Sequence, residues 1–437
     1  MESSGSVFSS LLSIASSCLD CFRGLRRTSC FPKSPIWFDC GLSHADVERY
    51  GRQIVLPSLG PEGQKNLLEG SILVVGAGGL GCPVALYLAA AGVGCIGIVD
   101  ADTVALSNLH RQIGHSWRWI GRSKAESLAH ACQEVNQAVS VKAHSLRLNE
   151  RREAADLMAG YDVVVDCTDA PPSRYLLNDA ALSAARPLVA ASAVGLSGQL
   201  AVYNFEGGPC LRCVFPVLAS PADAEPVASC EENGVLGPIV GTVGSLAALE
   251  ALKVLAKQSA LHKSCLRGKL LLFDPTSSLQ PCRTVRIRRQ PDCVGCASKD
   301  DGDPPVPLTC AVPSQLTKEI SISPKALHER LSTTDPIILL DVRQPAHFAV
   351  TRLKAAVNWP LTEMNRQSLE ERQEKFRSLE KDLMKPVVVC VCRRGNDSSV
   401  ATLLMRDAGI PALNLQGGLQ QLMACEPLFQ RSLPALT

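Results

Sequence analysis

The run from Gly70 to Val99 constrains the fold of this chain most, because it contains no charged residue. An apolar run of this length can be a membrane span. Here glycines and Pro83 interrupt it, and the pattern fits a buried strand over Ser71–Val75, a helix over about 82–92 and a second strand over Cys95–Val99. The run therefore predicts part of a doubly wound α/β sheet and not a membrane-spanning helix.

The alternation of strands and helices continues along the chain. A helix around 122–136 and strands around 139–144 and 162–166 follow, and a second α/β unit has strands over Ile337–Leu340 and Val387–Val391. A polar helix is expected over about 366–384, and another from Ser398 to about Ala408. A chain of 437 residues favours more than one domain. The expected boundaries are a disordered N-terminal extension over 1–41, a Rossmann-like domain over 42–297, a charged, Pro-rich linker over 298–317 and a smaller α/β domain over 318–437.

Composition excludes several classes of partner. Lys plus Arg is 44 against 42 for Asp plus Glu, and aromatic residues make up only 4%. The near-balanced charge and the low aromatic content do not indicate direct binding to nucleic acid or to a membrane. The 19 scattered cysteines indicate a reducing compartment. Because the Ser-rich residues 1–41 favour a disordered extension over a transit peptide, we expect the protein in the cytosol.

The turn Gly76-Ala-Gly78-Gly79-Leu-Gly81 predicts a nucleotide-binding loop. Glycines between a strand and a helix let backbone N–H groups approach a phosphate. Asp100, at the end of the next strand, is spaced to accept hydrogen bonds from a ribose hydroxyl. This motif alone fits NAD, FAD or ATP, and a glycine turn that only packs a helix on a strand is the structural alternative.

Polar residues after Asp100 favour ATP. The run from Asp100 to Gln112 is polar and compact, Lys124 lies beyond it, and Asp166-Cys-Thr-Asp169 ends another strand. Basic side chains neutralise a triphosphate, and a carboxylate at a strand end can hold Mg²⁺. A dehydrogenase needs no such set.

Two Cys-x-x-Cys pairs predict a structural zinc site. Cys210 with Cys213 and Cys293 with Cys296 supply four thiolates in two close pairs, which suits tetrahedral zinc, one ion per chain. Four sulfur ligands leave no open position for catalysis. A redox pair or ordinary loop cysteines are the alternatives.

Cys392 is the strongest candidate for a nucleophile. It follows an apolar strand and precedes a helix, and Arg393 and Arg394 add positive charge that favours a thiolate or persulfide. We expect Cys390 to face the other side of the strand and to serve packing. Cys230 lies in a polar segment before an apolar helix, where an incidental cysteine is the alternative to a chemical role.

Residues 42–297 resemble the adenylating domain of E1-like enzymes, which activate ubiquitin and bacterial sulfur carriers. The matching segments are 49–53, 76–83, 100–112, Lys124, 166–169, 174–179 and both Cys pairs. The resemblance implies that ATP–Mg²⁺ is bound by Gly79, Asp100, Ser107, Asn108, Leu109, His110, Arg111, Lys124, Asp169 and Ala170. It also implies a homodimer in which Arg52 reaches the neighbouring subunit's phosphates, and a Cys230 that attacks the acyl-adenylate or forms a transient disulfide. The family usually has Asn where this chain has Ala170.

Residues 318–437 resemble a rhodanese domain. The matching segments are Leu340–Arg343, Ala356–Pro360, the Cys392 loop and Leu415–Gly418. Related phosphatase loops have Arg at the position of Ser398, so phosphate-ester chemistry is disfavoured. The family's usual segment before Asn358 is replaced here, and the aromatic residue common after Gly418 is missing.

An E1-like domain joined to a rhodanese domain resembles enzymes of molybdenum-cofactor synthesis. The resemblance implies adenylation of the C-terminal glycine of ubiquitin-like sulfur carriers, followed by sulfur transfer from a Cys392 persulfide that a cysteine desulfurase loads. The implied carriers are the small subunit of molybdopterin synthase and the ubiquitin-related modifier that serves 2-thiolation of the wobble uridine in cytosolic tRNA. A conventional E1 with a docking-only C-terminal domain, and a non-catalytic scaffold, are the alternatives.

Overall fold

The computed structural model describes residues 41–216, 234–278, 280–296, 320–332, 336–380 and 386–425. These residues form two separate β-sheets, one before residue 297 and one after residue 319. The N-terminal extension and the linker lie outside the described residues, so the domain boundaries remain predictions.

The first sheet has the doubly wound order expected from the sequence. Its strand order is β3-β2-β1-β4-β5-β6-β7-β8, with parallel pairing from β3 to β5 and antiparallel pairing from β5 to β8. The chain order of β1 to β3 runs outward from β1, and β4 pairs on its other side, so the strand order reverses between β1 and β4. The strands are β1 (Ser71–Val75), β2 (Cys95–Val99), β3 (Ser140–His144), β4 (Val163–Asp166), β5 (Leu188–Val194), β6 (Ser197–Tyr203), β7 (Lys269–Phe273) and β8 (Cys282–Arg286).

Helices connect and cover these strands. Helix α4 starts where the sequence signals it, because the Ser123 side chain accepts a hydrogen bond from the Glu126 backbone N–H. Helix α3 ends at Gly92, whose φ of 83° is left-handed. The helices are α1 (His44–Ile54), α2 (Gly60–Glu69), α3 (Gly81–Ala91), α4 (Lys124–Val135), α5 (Arg151–Ala159), α6 (Pro171–Ser183), α7 (Leu211–Val214), α8 (Gly237–Leu255) and α9 (Ala260–Lys263).

The charge-free run is strand, turn, helix and strand, as predicted. Within the described residues, helix α8 is the one helix long and apolar enough to cross a membrane, and 56% of its apolar stretch is buried inside the fold. It packs closely on α3, since a Cβ added at Gly244 would lie 2.5 Å from Pro83 Cγ. These contacts make α8 a helix of the core.

The second sheet is parallel throughout, with the order β11-β10-β12-β13-β9. Its core includes Trp359, which is fully buried. The strands are β9 (Ser321–Ile322), β10 (Ile337–Asp341), β11 (Val357–Asn358), β12 (Val387–Val391) and β13 (Ala412–Leu415). The helices are α10 (Pro324–Leu331), α11 (Pro345–Val350), α12 (Leu361–Arg366), α13 (Leu369–Glu380), α14 (Asn396–Asp407) and α15 (Gly418–Ala424).

The polar helix expected over about 366–384 is present as α13, which begins at Leu369, while the short helix α12 before it was not predicted. The structure has α12 and α13, with the break at Ser368. The Ser368 side chain accepts a hydrogen bond from the Glu371 N–H, and the Glu371 carboxylate accepts one from the Ser368 N–H. This reciprocal cap starts a new helix, and its Ser-x-x-Glu pattern is visible in the sequence.

Candidate active sites and metal centre

The nucleotide loop lies where β1, β2 and β4 end side by side. Gly76 follows β1, Asp100 follows β2, and Thr168 and Asp169 follow β4. Because the strand order reverses between β1 and β4, this edge is the crevice in which doubly wound sheets bind ligands.

Two glycines of the loop are required by backbone sterics. Gly76 has a φ of 100°, and a Cβ there would lie 2.8 Å from the Cys167 carbonyl oxygen. A Cβ at Gly81 would lie 1.8 Å from the Gly76 carbonyl oxygen. At Gly78 the nearest atom would be Gln112 Nε2 at 3.7 Å, an ordinary contact. The protein therefore leaves space above Gly78, where a phosphate can approach the backbone.

Asp100 holds the shape of this loop. Its Oδ2 accepts a hydrogen bond of 2.8 Å from the Ala77 N–H, and its Oδ1 accepts one of 2.8 Å from the Asp102 N–H. The buried His115 supports the other side of Ala77, with Nε2 2.8 Å from the Ala77 oxygen and Nδ1 2.9 Å from Ser127 Oγ. Burial lowers the pKa of His115, so the ring is held neutral.

Lys124 brings a positive charge to the segment that follows β2. Its Nζ lies 3.0 Å from Asp102 Oδ2, and Arg147 Nη2 lies 3.2 Å from Asp102 Oδ1. Burial would raise the pKa of Asp102, but Lys124 and Arg147 outweigh that effect and hold it below its usual range. The lysine side chain is only 9% exposed, so an incoming phosphate meets a largely desolvated positive charge.

The residues between β2 and α4 that are predicted to bind ATP lie in one short segment. Leu106–Asn108 form a single 3₁₀ turn, and Asn108 Oδ1 accepts from the Ala105 N–H at 3.3 Å. Arg111 Nη1 donates to the Ser107 oxygen at 3.1 Å and lies 2.7 Å from His110 Nε2. Leu109 immediately follows the turn and is half-buried. A Cβ added at Gly79 would lie 2.9 Å from Val240 Cγ2 and 3.4 Å from the Arg111 oxygen, so Gly79 lies close to this segment. The segment presents its polar side chains at the same edge as Lys124.

The end of β4 is built around Asp166. Its Oδ1 accepts hydrogen bonds from the Thr168 N–H at 2.9 Å and hydroxyl at 2.7 Å. Its Oδ2 is buried without a hydrogen-bond partner among the described residues, as is Gln112 Oε1. Arg174 fastens the turn, because its Nη2 donates to the Thr168 oxygen at 2.8 Å. Asp169 is exposed at the strand end, and its role toward Mg²⁺ stays a prediction.

Ala170 is the N-cap residue of α6 and makes no side-chain cap. Asn is among the best N-cap residues, and Ala is a poor one. The departure from the E1-like pattern therefore costs this helix a cap, in addition to any bond to a nucleotide. This second effect was not predicted, because the helix start signalled by Pro171 was not used.

The two Cys pairs meet, as predicted. The sulfur atoms of Cys210, Cys213, Cys293 and Cys296 all lie within 4.8 Å of one another. Individual Sγ separations are 3.5 Å for Cys210 and Cys293 and 3.4 Å for Cys213 and Cys296. Burial raises the pKa of Cys210 well above its usual range and that of Cys296 to about 11. Four thiols this close together, three of them buried, cannot all ionise without a cation among them.

An ion pair that sequence reasoning missed anchors this cluster on α6. Arg212, between the first two cysteines, donates to Asp179 through Nε at 2.8 Å and through Nη2 at 2.6 Å. Its guanidinium also lies 4.9 Å from the centre of the Tyr175 ring. Asn178 Oδ1 accepts from the Leu211 N–H at 2.8 Å. Asn178 and Asp179, which match the E1-like pattern, thus hold the turn that contains Cys210 and Cys213 in place.

The Cys392 loop in the second sheet surrounds its sulfur with donors. Cys392 follows β12, its Sγ accepts the Gly395 N–H at 3.0 Å, and Ser398 Oγ lies 3.2 Å away. The residue is 1% exposed, whereas Arg393 and Arg394 are exposed. A Cβ at Gly418 would lie 2.4 Å from the Cys392 oxygen, so that glycine is required for the loop to close.

The expectation that Cys390 faces away from Cys392 is wrong. Alternate residues of a strand point to the same face. Cys390 and Cys392 accordingly pack in one core cluster, while Val389 and Val391 belong to another. The packing role holds, since Cys390 is fully buried and burial raises its pKa to about 12.

The other rhodanese-like segments support the same sheet edge. Asp341 at the end of β10 pairs with Arg343, with Nη2 and Oδ2 2.6 Å apart. Asn358 donates to the Asp341 oxygen at 2.9 Å and the Arg343 oxygen at 2.8 Å. Leu419 takes the place of the missing aromatic residue and is buried, and its N–H donates to the Cys392 oxygen at 2.9 Å.

Two predicted site residues stand apart. Cys230 lies outside the described residues. Arg52 is exposed on α1. The roles of both remain predictions.

The ThiF family matches residues 50–295, and the rhodanese-like domain matches residues 323–425. The chain belongs to the ThiF family. Curated relatives match most of the chain and carry the name adenylyltransferase and sulfurtransferase MOCS3. The Drosophila ananassae protein is 42% identical, and the match covers 84% of this chain and 80% of that relative. The Arabidopsis thaliana protein is 38% identical, and the match covers 87% of this chain and 84% of that relative. This ThiF-family chain is an adenylyltransferase and a sulfurtransferase, as predicted from its nucleotide loop and its Cys392 loop.

A solved structure of the same fold is that of E. coli MccB with MccA-N7isoASN. It has a TM-score of 0.50 and 21% sequence identity, and the match covers 59% of this chain and 76% of that one. The identity is low, so this likeness concerns the fold of the ThiF-family part alone.

Proposed function

We propose that the enzyme adenylates the C-terminal glycine of ubiquitin-like sulfur carriers and converts that carboxylate to a thiocarboxylate. The observation that carries the proposal is the presence, on one chain, of a phosphate-accepting loop beside Lys124 and of a cysteine loop with N–H and hydroxyl donors aimed at Cys392. Adenylation turns the carboxylate oxygen into a good leaving group, and a persulfide is a strong nucleophile.

ATP and Mg²⁺ fit the first site. The space above Gly78 and the positive charge of Lys124 suit a triphosphate, and the exposed Asp169 offers Mg²⁺ an oxygen ligand. The orphaned oxygens of Asp166 and Gln112 beside the loop are consistent with a polar ligand or water there. ATP supplies the adenylyl group, and Mg²⁺ neutralises the phosphate charge.

One Zn²⁺ fits the four cysteines. A tetrahedral site with Zn–S bonds of about 2.3 Å places its sulfurs roughly 3.8 Å apart. The separations of 3.4, 3.5 and 3.8 Å agree with this spacing. We expect about one zinc per chain and its loss in Cys213→Ser, measured by elemental mass spectrometry. Cys282→Ser, at an exposed cysteine on β8, is the matched control.

The reaction balances as three steps. The carrier carboxylate displaces pyrophosphate from ATP, and the Cys392 persulfide then displaces AMP to form an acyl disulfide. Cys230 thiolate attacks Cys392 Sγ, so the thiocarboxylate leaves with the electron pair and a Cys230–Cys392 disulfide remains. A dithiol reductant must open that disulfide before the next turnover.

The proposed carriers are the small subunit of molybdopterin synthase and the ubiquitin-related modifier of tRNA 2-thiolation, with a cysteine desulfurase as sulfur donor. The enzyme then serves molybdenum-cofactor synthesis and wobble-uridine thiolation in the cytosol. Import of a tagged fragment of residues 1–41 into mitochondria would contradict the cytosolic location.

The deciding experiment is single-turnover thiocarboxylate formation. Wild type, Cys392→Ala and Cys282→Ser are mixed with ATP, Mg²⁺, carrier and thiosulfate, and the carrier mass is followed. We expect one sulfur to replace one oxygen in wild type and the control but not in Cys392→Ala. If wild type forms the adenylate but the carrier gains no sulfur, the protein is a conventional E1 with a docking-only C-terminal domain. If wild type shows no ATP–pyrophosphate exchange, it is a non-catalytic scaffold.

We also propose a homodimer in which Arg52 of one subunit reaches the other subunit's nucleotide. Arg52→Ala and Asp169→Ala should each abolish ATP–pyrophosphate exchange. Mixed subunits should regain activity, because one of the two sites then has both residues intact. No recovery on mixing, with subunit exchange verified by native mass spectrometry, would place Arg52 outside the neighbouring site.

A further inference from the structure

The Ser398 hydroxyl lies between two acceptors. Its Oγ is 3.2 Å from Cys392 Sγ and 2.7 Å from Asn414 Oδ1. Ser398 is fully buried and Asn414 is 6% exposed, so bulk water does not compete for these bonds. Ser398 occupies the position at which related phosphatase loops have Arg. The sulfur-transfer steps described above do not involve its hydroxyl.

A hydroxyl has one proton to donate. While Cys392 is a thiol, its S–H can point to Ser398 Oγ and the Ser398 O–H can point to Asn414 Oδ1. When the sulfur becomes a thiolate it has no proton and needs a donor. We propose that Ser398 is a positioning residue that turns its single proton from Asn414 to Cys392 as that sulfur becomes the nucleophile.

The step assisted is the loading of Cys392 with sulfur. The thiol proton leaves to solvent, and the thiolate attacks the sulfane sulfur of thiosulfate. The new Sγ–S bond forms as the S–S bond of thiosulfate breaks, and sulfite leaves with the electron pair. The Gly395 N–H and the Ser398 hydroxyl then both donate to Sγ during the attack.

Asn414 sets the balance of this switch. It lies on β13, which pairs with the nucleophile's strand β12. Because its Oδ1 competes with the sulfur for the same proton, Asn414 favours the thiol and Ser398 favours the thiolate. Removal of the Ser398 hydroxyl should therefore shift the pH dependence of loading upward, and removal of the Asn414 side chain should shift it downward. A general loss of structure would not produce shifts in opposite directions.

Other groups near the sulfur stay constant in this comparison. The titratable and charged residues on the loop, on α14 and at the paired strands are Arg393, Arg394, Asp397, Asp341, Arg343 and Cys390, with Arg406 and Asp407 at the C-terminal end of α14. None of them is altered in the variants below.

The test is the pH profile of single-turnover loading by thiosulfate in the full-length protein, read from the mass of the peptide containing Cys392. We expect Ser398→Ala to be about tenfold slower at pH 7 and to move the profile upward by about one pH unit. Asn414→Leu should move it downward. Thr402→Val is the matched control, since it removes a buried hydroxyl of the same helix that donates to the Ser398 carbonyl oxygen.

Each outcome decides the proposal. Opposite shifts in Ser398→Ala and Asn414→Leu with an unmoved Thr402→Val support it. A Ser398→Ala profile that coincides with wild type, a shift of equal size in Thr402→Val, or an unmoved or upward profile in Asn414→Leu overturns it. If a protease-resistance assay shows that Ser398→Ala does not fold, Asn414→Leu alone decides: a downward shift supports the proposal, and an unmoved or upward profile overturns it. The readout needs no carrier or ATP, so it is independent of the carrier proposal.

Discussion

The buried ion pair between Arg212 and Asp179 should be essential for the stability of the first sheet. Their side chains are 0% and 6% exposed, and two hydrogen bonds of 2.8 and 2.6 Å join them. Burial would lower the pKa of Arg212, but Asp179 outweighs it and raises that pKa. Asp179→Leu leaves the guanidinium buried and without its carboxylate.

Breaking a buried pair in this way costs about 3–5 kcal/mol. In a region of roughly 250 residues, each kcal/mol lowers the melting temperature by about 2–4 °C, so a fall of about 6–20 °C is expected. Because Arg212 lies between Cys210 and Cys213, two of the proposed zinc ligands, zinc content should fall together with the melting temperature. Asp179→Leu combined with Arg212→Met should recover most of the loss, since no charge is then buried.

The assay is differential scanning calorimetry of the full chain, with zinc measured on the same samples. Glu62→Ala is the control, because it breaks an exposed pair with Lys65 and should change stability by less than about 1 kcal/mol. An Asp179→Leu protein that melts within 2 °C of wild type would refute the reasoning. So would a double variant no more stable than the single one.

Four further predictions concern the nucleotide region. Ala170→Asn should stabilise the protein by about 0.5–2 kcal/mol by capping α6, whereas Ala184→Asn at the other end of that helix should not, as thermal melts will show. Melting temperature should fall as pH drops below 6.5, because burial lowers the pKa of His115 and only the unfolded ring binds a proton there; His115→Gln should flatten this dependence. Gly81→Ala should destabilise the fold by about 1–3 kcal/mol or more, since its Cβ meets backbone. Gly78→Ala should melt like wild type yet bind ATP more weakly in calorimetric titrations, and unchanged affinity would argue against phosphate above Gly78.

Local patterns predicted most of the elements and of the site. A charge-free run with glycines between two apolar stretches reads as strand, loop, helix and strand, because both faces of a parallel strand are buried. The Cys-x-x-Cys spacing likewise identified the four residues that meet in the structure. Such signals lie within a few neighbouring residues, so no knowledge of the tertiary fold is needed to read them.

Errors occurred where a local rule was overlooked or misapplied. The cap formed by Ser368 and Glu371 was present in the sequence but was not used, so the start of α13 was predicted a few residues too early. The period of two in a strand places Cys390 and Cys392 on the same face, contrary to the expectation.

The sequence by itself determined the fold class, the two loops and the types of residue that carry the chemistry, because each depends on short-range spacing. Only the tertiary structure decided which partners those residues meet. Arg212 finds Asp179 across 33 positions, and Ser398 finds Asn414 on a neighbouring strand. These contacts form because separate elements pack together, and a buried donor or charge is stable only where packing supplies its partner.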